Sequence, residues 1–256
     1  MKTFITFLRK EFLEQLRSKK LMIIGLVFVF FGILNPLTAK ITPMILKMVS
    51  EMVENSGIIV TDVEITALDS WMQFYKNLPT LLIIFILVES SIFSKEYQKG
   101  TLTLVLTKGF ERYKVVLAKL ITLVSIWTVG YIICFAITYV YNGYYWDNSI
   151  ANNLLVSSLY WLVFALFVIV LFTLFAVNFE NSGISLLFTG GVVLVLYLIS
   201  LLPTVDKYLP IILSDGYSLI YSLSEVSYYI FGLIVTLLSI VILLVLSVIT
   251  FNKKKI

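Results

Sequence analysis

The stretch Leu154–Val177 reads LLVSSLYWLVFALFVIVLFTLFAV and contains no charged side chain. A bilayer core demands about 20 apolar residues in a helix, because the backbone must satisfy its own polar groups where water is absent. Comparable runs occur at 21–37, 78–94, 120–141, 183–202 and 228–251. Hydrophobic residues make up 60% of the chain and charged ones 13%, against roughly 45–50% and about 25% in soluble domains. The fold class is therefore all-α and polytopic: six transmembrane helices forming one domain over 21–251, with no repeat or linker inside it.

The charges between these runs set the expected orientation. The segment Lys95–Lys119, KEYQKGTLTLVLTKGFERYKVVLAK, holds six Lys or Arg against two Glu. Met1–Lys20 is basic as well, and the tail 252–256 carries Lys253, Lys254 and Lys255. Cytoplasmic loops retain Lys and Arg, so both termini and this loop are expected inside the cell. The segments 39–76, 142–153 and 203–227 are net acidic and fall outside. The net charge of +4 thus follows topology and implies no nucleic-acid partner.

Met1–Lys20 places Phe4, Phe7, Leu8, Phe12 and Leu16 on one helical face, with Arg9, Lys10, Glu14, Arg17 and Lys20 around the remainder. It is either an interfacial helix with its basic side on lipid headgroups or a plain basic flank. The first apolar run begins only at Leu21 and no small-residue cleavage pattern follows, so a retained anchor is expected. Pro36 kinks the first span near its outer end. Beyond it, Ile41, Ile45, Met48, Met52 with Val49 and Val53, and then Leu68, Trp71, Met72 and Tyr75, repeat with helical period around Asp62. These make two short amphipathic helices on the outer surface or a small extracellular cap.

Pro79 falls in the first turn expected for the second span, where its missing N–H costs nothing. Glu89 lies within that span, and a carboxylate there must face protein or the interface. It serves either as a partner for a nearby Lys or Arg, or in transmitting movement or meeting a substrate. Tyr144, Tyr145 and Trp146 form a headgroup-level belt. The short turn Asn178–Ser182 makes the fourth and fifth spans a hairpin. Gly190 and Gly191 allow close helix approach or bending, and Leu209–Leu213 reads as a shallow re-entrant piece or a surface turn.

Much chemistry is missing. The chain has no histidine and one cysteine, Cys134, which removes the commonest metal ligand, the commonest general base and any intrachain disulfide. No metal site is expected. No phosphate-binding Gly-rich loop ending in Lys-Ser/Thr is present. Ser90, Ser91 and Ser125 lack a histidine base, and Lys95 and Lys119 sit at boundaries that topology already explains. Spans so poor in ionisable groups suggest that energy for any transport comes from elsewhere.

Inside the basic loop, Gly100-Thr101 opens a short apolar segment, Leu102, Leu104, Val105 and Leu106, which Lys108-Gly109 ends before Arg112, Lys114 and Lys119. It is a docking knob for a soluble partner or a loop that touches only headgroups. Here the chain resembles the ABC-2 type permeases, the membrane subunits of bacterial ABC exporters. The resemblance rests on Glu96, Gly100-Thr101, the Leu-rich stretch to Leu106, the turn, Arg112 and Lys119, with Lys108-Gly109 where many members have a proline-containing turn. It extends over the whole chain: an N-terminal interfacial helix, six spans, both ends inside and a large first outer loop.

The resemblance implies that Glu96, Gly100, Thr101, Leu102, Leu104, Leu106 and Arg112 form a coupling helix and its flanks, docking on an ATPase subunit. Glu96 and Arg112 would make polar contacts there and the leucines apolar ones. Residues 1–20, through Phe4, Phe7, Leu8 and Phe12, would be the connecting helix. Two ATPase subunits would bind ATP and Mg²⁺, and this chain, itself no enzyme, would bind no cofactor. A second permease chain, identical or homologous, would complete the path in the bacterial cell membrane. Apolar, aromatic-rich spans suit an amphipathic or hydrophobic cargo, with an amphipathic or antimicrobial peptide favoured and lipid-linked molecules, drugs and sodium ions left open. The rival readings are a nonenzymatic membrane scaffold or accessory protein, and an intramembrane enzyme.

Overall fold

The computed structural model describes residues 2–52, 64–107, 109–202 and 204–254, with the side chains at 2, 46, 47 and 49–52 left aside. Of the residues singled out above, Val53, Asp62, Lys108 and Lys255 lie outside the described residues. The regular structure of the described chain is helical, in the order α1 (Lys2–Arg17), α2 (Lys20–Met52), α3 (Ala67–Glu89), α4 (Ser91–Gln98), α5 (Thr101–Thr107), α6 (Arg112–Tyr145), α7 (Leu154–Asn178), α8 (Ser182–Ser200), α9 (Gly216–Ile220) and α10 (Ile230–Lys253). Among the described residues, six helices are long and apolar enough to cross a membrane: α2, α3 with α4, α6, α7, α8, and α10 with the 3-10 turn before it.

Several helices outrun their apolar runs. α2 continues through Pro36 and Pro43 to Met52, so Ile41, Ile45 and Met48 continue the first helix and form no separate one, although the apolar span ends at Ile45. Pro36 has no N–H for the Gly32 carbonyl, four residues back. Thr138 Oγ1 of α6 donates to that carbonyl instead, at 3.1 Å. The neighbouring helix thus supplies the missing bond, which is how proline is tolerated within a bundle.

The second amphipathic piece is likewise the start of α3. Thr66 and Asp69 form its capping box, with the Thr66 N–H on Asp69 Oδ2 at 2.9 Å. Trp71 and Tyr75 are buried, held by Asn148 Oδ1 at 3.0 Å and Ser158 Oγ at 3.1 Å. Pro79 therefore lies well inside α3, not in a first turn. α6 begins at Arg112, so the basic stretch up to Lys119 is helical.

α7 is the central helix. It packs against α10, α8 and α6, while α2 packs on both α3 and α6. Trp127 of α6 sits fully buried among Phe28, Phe85, Tyr131 and Trp161, with ring centroids 5.2–6.5 Å apart. Lipid is as apolar as these side chains, so close packing rather than burial from water favours the contact. Outward, α8 and α10 present Leu187, Leu194, Leu198, Leu238, Val241 and Ile242.

Around Gly190 and Gly191 an added Cβ would meet open space, so neither marks a close approach within this chain. Close approaches occur instead at Gly130, Gly232 and Gly216, and at Gly216 an added Cβ would lie 2.2 Å from the Tyr75 ring. Residues 206–220 fold back as two 3-10 turns and α9. Pro210 and Leu213 are buried against α7 and α10. The segment is therefore packed onto the bundle and is more than an exposed surface turn. Ser157 Oγ donates to the Gly216 carbonyl at 3.0 Å and helps to hold it. α1, α4, α5, the α7–α8 turn and the end of α10 gather at the opposite end of the bundle.

Candidate functional site

At that end α1 buries Phe7, Glu11 and Gln15, spaced four residues apart and so aligned on one face. The Phe7 ring lies 4.8 Å from that of Phe110. Phe4, Leu8 and Phe12 flank this face half-buried, while Leu16 is exposed. The buried face is thus rotated from the apolar stripe Phe4–Leu16, because the surface it meets is charged.

Its centre is a closed ring of four ions. Lys10 Nζ lies 2.9 Å from Glu11 Oε1 and 2.6 Å from Glu96 Oε1. Lys119 Nζ lies 2.9 Å from Glu11 Oε2 and 3.1 Å from Glu96 Oε2. Each carboxylate gives one oxygen to each lysine, and the ring is electrically neutral. Lys119, 1% exposed, also donates to the Ile92 carbonyl at 3.0 Å. Buried ion pairs hold only when their remaining valences are met, and here they are. The ring joins α1, α4 and α6 at one point.

Burial alone would lower the Lys10 pKa, but the Glu11 and Glu96 carboxylates outweigh it and hold the ammonium above its ordinary value. Lys10 and Lys95 also approach Glu14, at 3.3 and 3.8 Å. The carboxylates of Glu11, Glu14 and Glu96 come within 4.8 Å of one another, a spacing that would suit a metal ion. Two lysine ammonium groups already stand among them as counter-ions, so a metal would have to displace both.

A second polar tie lies nearby. Glu89, 0% exposed, accepts a hydrogen bond from Gln15 Nε2 at 2.7 Å, and Lys20 Nζ stands 3.3 Å from the same oxygen. Between α1 and α2, Lys19 takes φ 60°, a left-handed residue ending one helix before the next begins.

The coupling segment is bounded by glycines in the same conformation. Gly100 (φ 65°) ends α4 with its N–H on the Tyr97 carbonyl, and Gly109 (φ 82°) ends α5 with its N–H on that of Leu106. Between them Leu102, 1% exposed, anchors α5 to the bundle while Leu104 is 63% exposed. Thr103, Leu106, Thr107, Phe110 and Arg112 line a groove of about 250 Å³ beside it.

Arg112 Nη1 donates to the carbonyls of Phe251 (3.0 Å), Asn252 (3.4 Å) and Lys254. It thereby caps α10 and places a cation at the negative end of that helix. Lys254 in turn donates to the Val177 and Asn178 carbonyls, both at 3.1 Å, and lies over the Tyr97 ring. Tyr97 shares the Val177 carbonyl at 2.8 Å. The basic tail is therefore a structural clamp as well as a charge signal.

Against the sequence expectations, Thr101 and Leu104 lie on the open surface and Leu106 is half-buried. Glu96 and Leu102 are buried, so neither is a free contact for a partner, and the Arg112 guanidinium is engaged by the chain's own carbonyls. Sequence reasoning missed Lys10, Glu11, Gln15 and Lys119 as a set. The available signal was Glu11 and Gln15 four and eight residues beyond Phe7, polar residues in register with an apolar one.

An all-helical polytopic membrane protein, with a short helix projecting from a charged joint at one end of its bundle, is the class these features define. The family model described as ABC-2 family transporter protein matches residues 5–256, and the chain belongs to that family. It is a multi-pass membrane transport component of the ABC type. No curated protein matches the chain.

Proposed function

We propose that the chain is the permease subunit of an ATP-driven exporter in a bacterial cell membrane. α1, α5 and both termini face the cytoplasm, in keeping with the basic residues that crowd that end of the bundle. Two separate ATPase subunits bind ATP and Mg²⁺ and dock on α5, and a second permease chain, identical or homologous, completes the path. The chain itself performs no chemical step. The observation that supports this is Leu104, an exposed leucine on a helix whose two ends are fixed by glycine and whose neighbour Leu102 ties it to the core. A rigid, apolar-tipped projection suits docking into a groove of a soluble partner.

Force on α5 would pass through α4 to the Lys10–Glu11–Glu96–Lys119 ring, and so to α1 and α6 together. Glu96 thus acts within the joint and Leu104 at the contact. The cargo is an amphipathic peptide, a reading supported by spans that are apolar, rich in aromatic residues and nearly free of charge. A tagged pull-down from native membranes tests the assignment. A soluble ATPase should accompany the wild type and be lost with Leu104→Asp, whose thermal stability should be unchanged. If no ATPase accompanies the wild type, the scaffold reading replaces this one.

A further inference from the structure

Among the described residues, two oxygens at the joint have no hydrogen-bond partner. Glu89 Oε2 takes the bonds from Gln15 and Lys20, but Glu89 Oε1 accepts none from the described residues. Gln15 is buried too, and its Oε1 is equally bare. Bare acceptors on buried groups are costly, and both belong to groups already joined by one N–H to oxygen bond. A carboxyl and a primary amide pair through two bonds when the carboxyl carries a proton. The amide N–H meets the acid carbonyl, and the acid O–H meets the amide oxygen. The first of these is formed here, and the oxygens left over are those the second requires.

We propose that Glu89 and Gln15 form a proton-binding site, in which a proton on Glu89 Oε1 is donated to Gln15 Oε1 and fastens α1 to α3. The proton comes from water and returns to it, and no electron moves. With the proton gone, Glu89 is a carboxylate paired to Lys20. The charges that bear on Glu89 are Lys20 at the start of α2 and Lys119 on α6, the latter already shared by Glu11 of α1 and Glu96 of α4. Lys95 of α4 lies towards Glu14 of α1, and α7 and α8 carry no charged residue. The two cations oppose the proton, while the bare oxygens favour it. Proton occupancy would thereby tune how firmly the N-terminal helix is held.

Infrared spectroscopy of the full chain in phosphatidylcholine–phosphatidylglycerol vesicles tests this without reference to any ATPase. The wild type should show a protonated-carboxyl C=O band that is lost in Glu89→Gln and shifts in Gln15→Leu. Glu89→Gln keeps the shape, since its amide can donate to Gln15 Oε1 and accept from Gln15 Nε2. If it fails to fold, Lys20→Met should strengthen the same band by removing the opposing cation. The proposal is overturned if no band depends on Glu89 or Lys20, or if Gln15→Leu leaves the band unmoved. It is also overturned if replacing choline chloride by sodium chloride abolishes the band, which would assign the oxygens to an alkali cation.

Discussion

Replacing Lys119 by methionine tests the ring directly. The substitution leaves the stem of the side chain in place and removes the ammonium that touches Glu11, Glu96 and the Ile92 carbonyl. Removing one partner from a buried ion pair costs about 3–5 kcal/mol, because the opposite charge stays buried and unpaired. Both carboxylates keep Lys10, so the expected loss is about 3 kcal/mol, at the lower end of that range. The ring then carries one excess negative charge. Adding Glu96→Gln restores neutrality, and the double variant should recover most of the loss, leaving about 1 kcal/mol for the imperfect hydrogen bonds. Unfolding equilibria in mixed micelles for the wild type, both singles and the double give the coupling. The reasoning is refuted if Lys119→Met costs no more than the more exposed Lys95→Met, or if the double variant is less stable than Lys119→Met.

Three further outcomes follow from the geometry. Gly100→Ala meets no steric obstacle but must hold a left-handed backbone, so it should cost about 1–2 kcal/mol in the same unfolding assay, with Gly100→Asn costing less. Gly216→Ala should cost about 1–3 kcal/mol, as expected of overpacking, since its methyl would overlap the Tyr75 ring; pairing it with Tyr75→Leu should return part of that. Thr138→Val keeps the shape but leaves the Gly32 carbonyl and the Asn35 amide without their donor and acceptor, and should destabilise by about 1–3 kcal/mol.

The bundle was legible in the sequence because a bilayer imposes a minimum apolar length, and Leu154–Val177 and its counterparts meet it. Helix ends were not legible from hydropathy, which reports where lipid stops and not where hydrogen bonding stops. α2 therefore passes its two prolines, helped at the first by a threonine from another helix, and α3 begins among residues that look like a surface piece. The site divides in the same way. Leu104 on a short helix between glycines could be anticipated from Gly100, the leucines and Gly109. The burial of Glu96 and Lys119 could not, because each looks like part of a charged loop until α1 supplies Lys10 and Glu11 from the other end of the numbering. Arg112 likewise reads as a free cation until the C-terminal carbonyls fold onto it.

The central claim, that α5 is where the transport ATPase docks, is tested most directly by a photo-crosslinking amino acid placed at Leu104 and, separately, at Tyr144. Both side chains are exposed, Leu104 at 63% and Tyr144 at 82%, and they lie towards opposite ends of the bundle. Illumination of intact membranes should join Leu104, and not Tyr144, to the ATPase subunit. Crosslinking from Tyr144, or from neither position while the ATPase is present, would contradict the account.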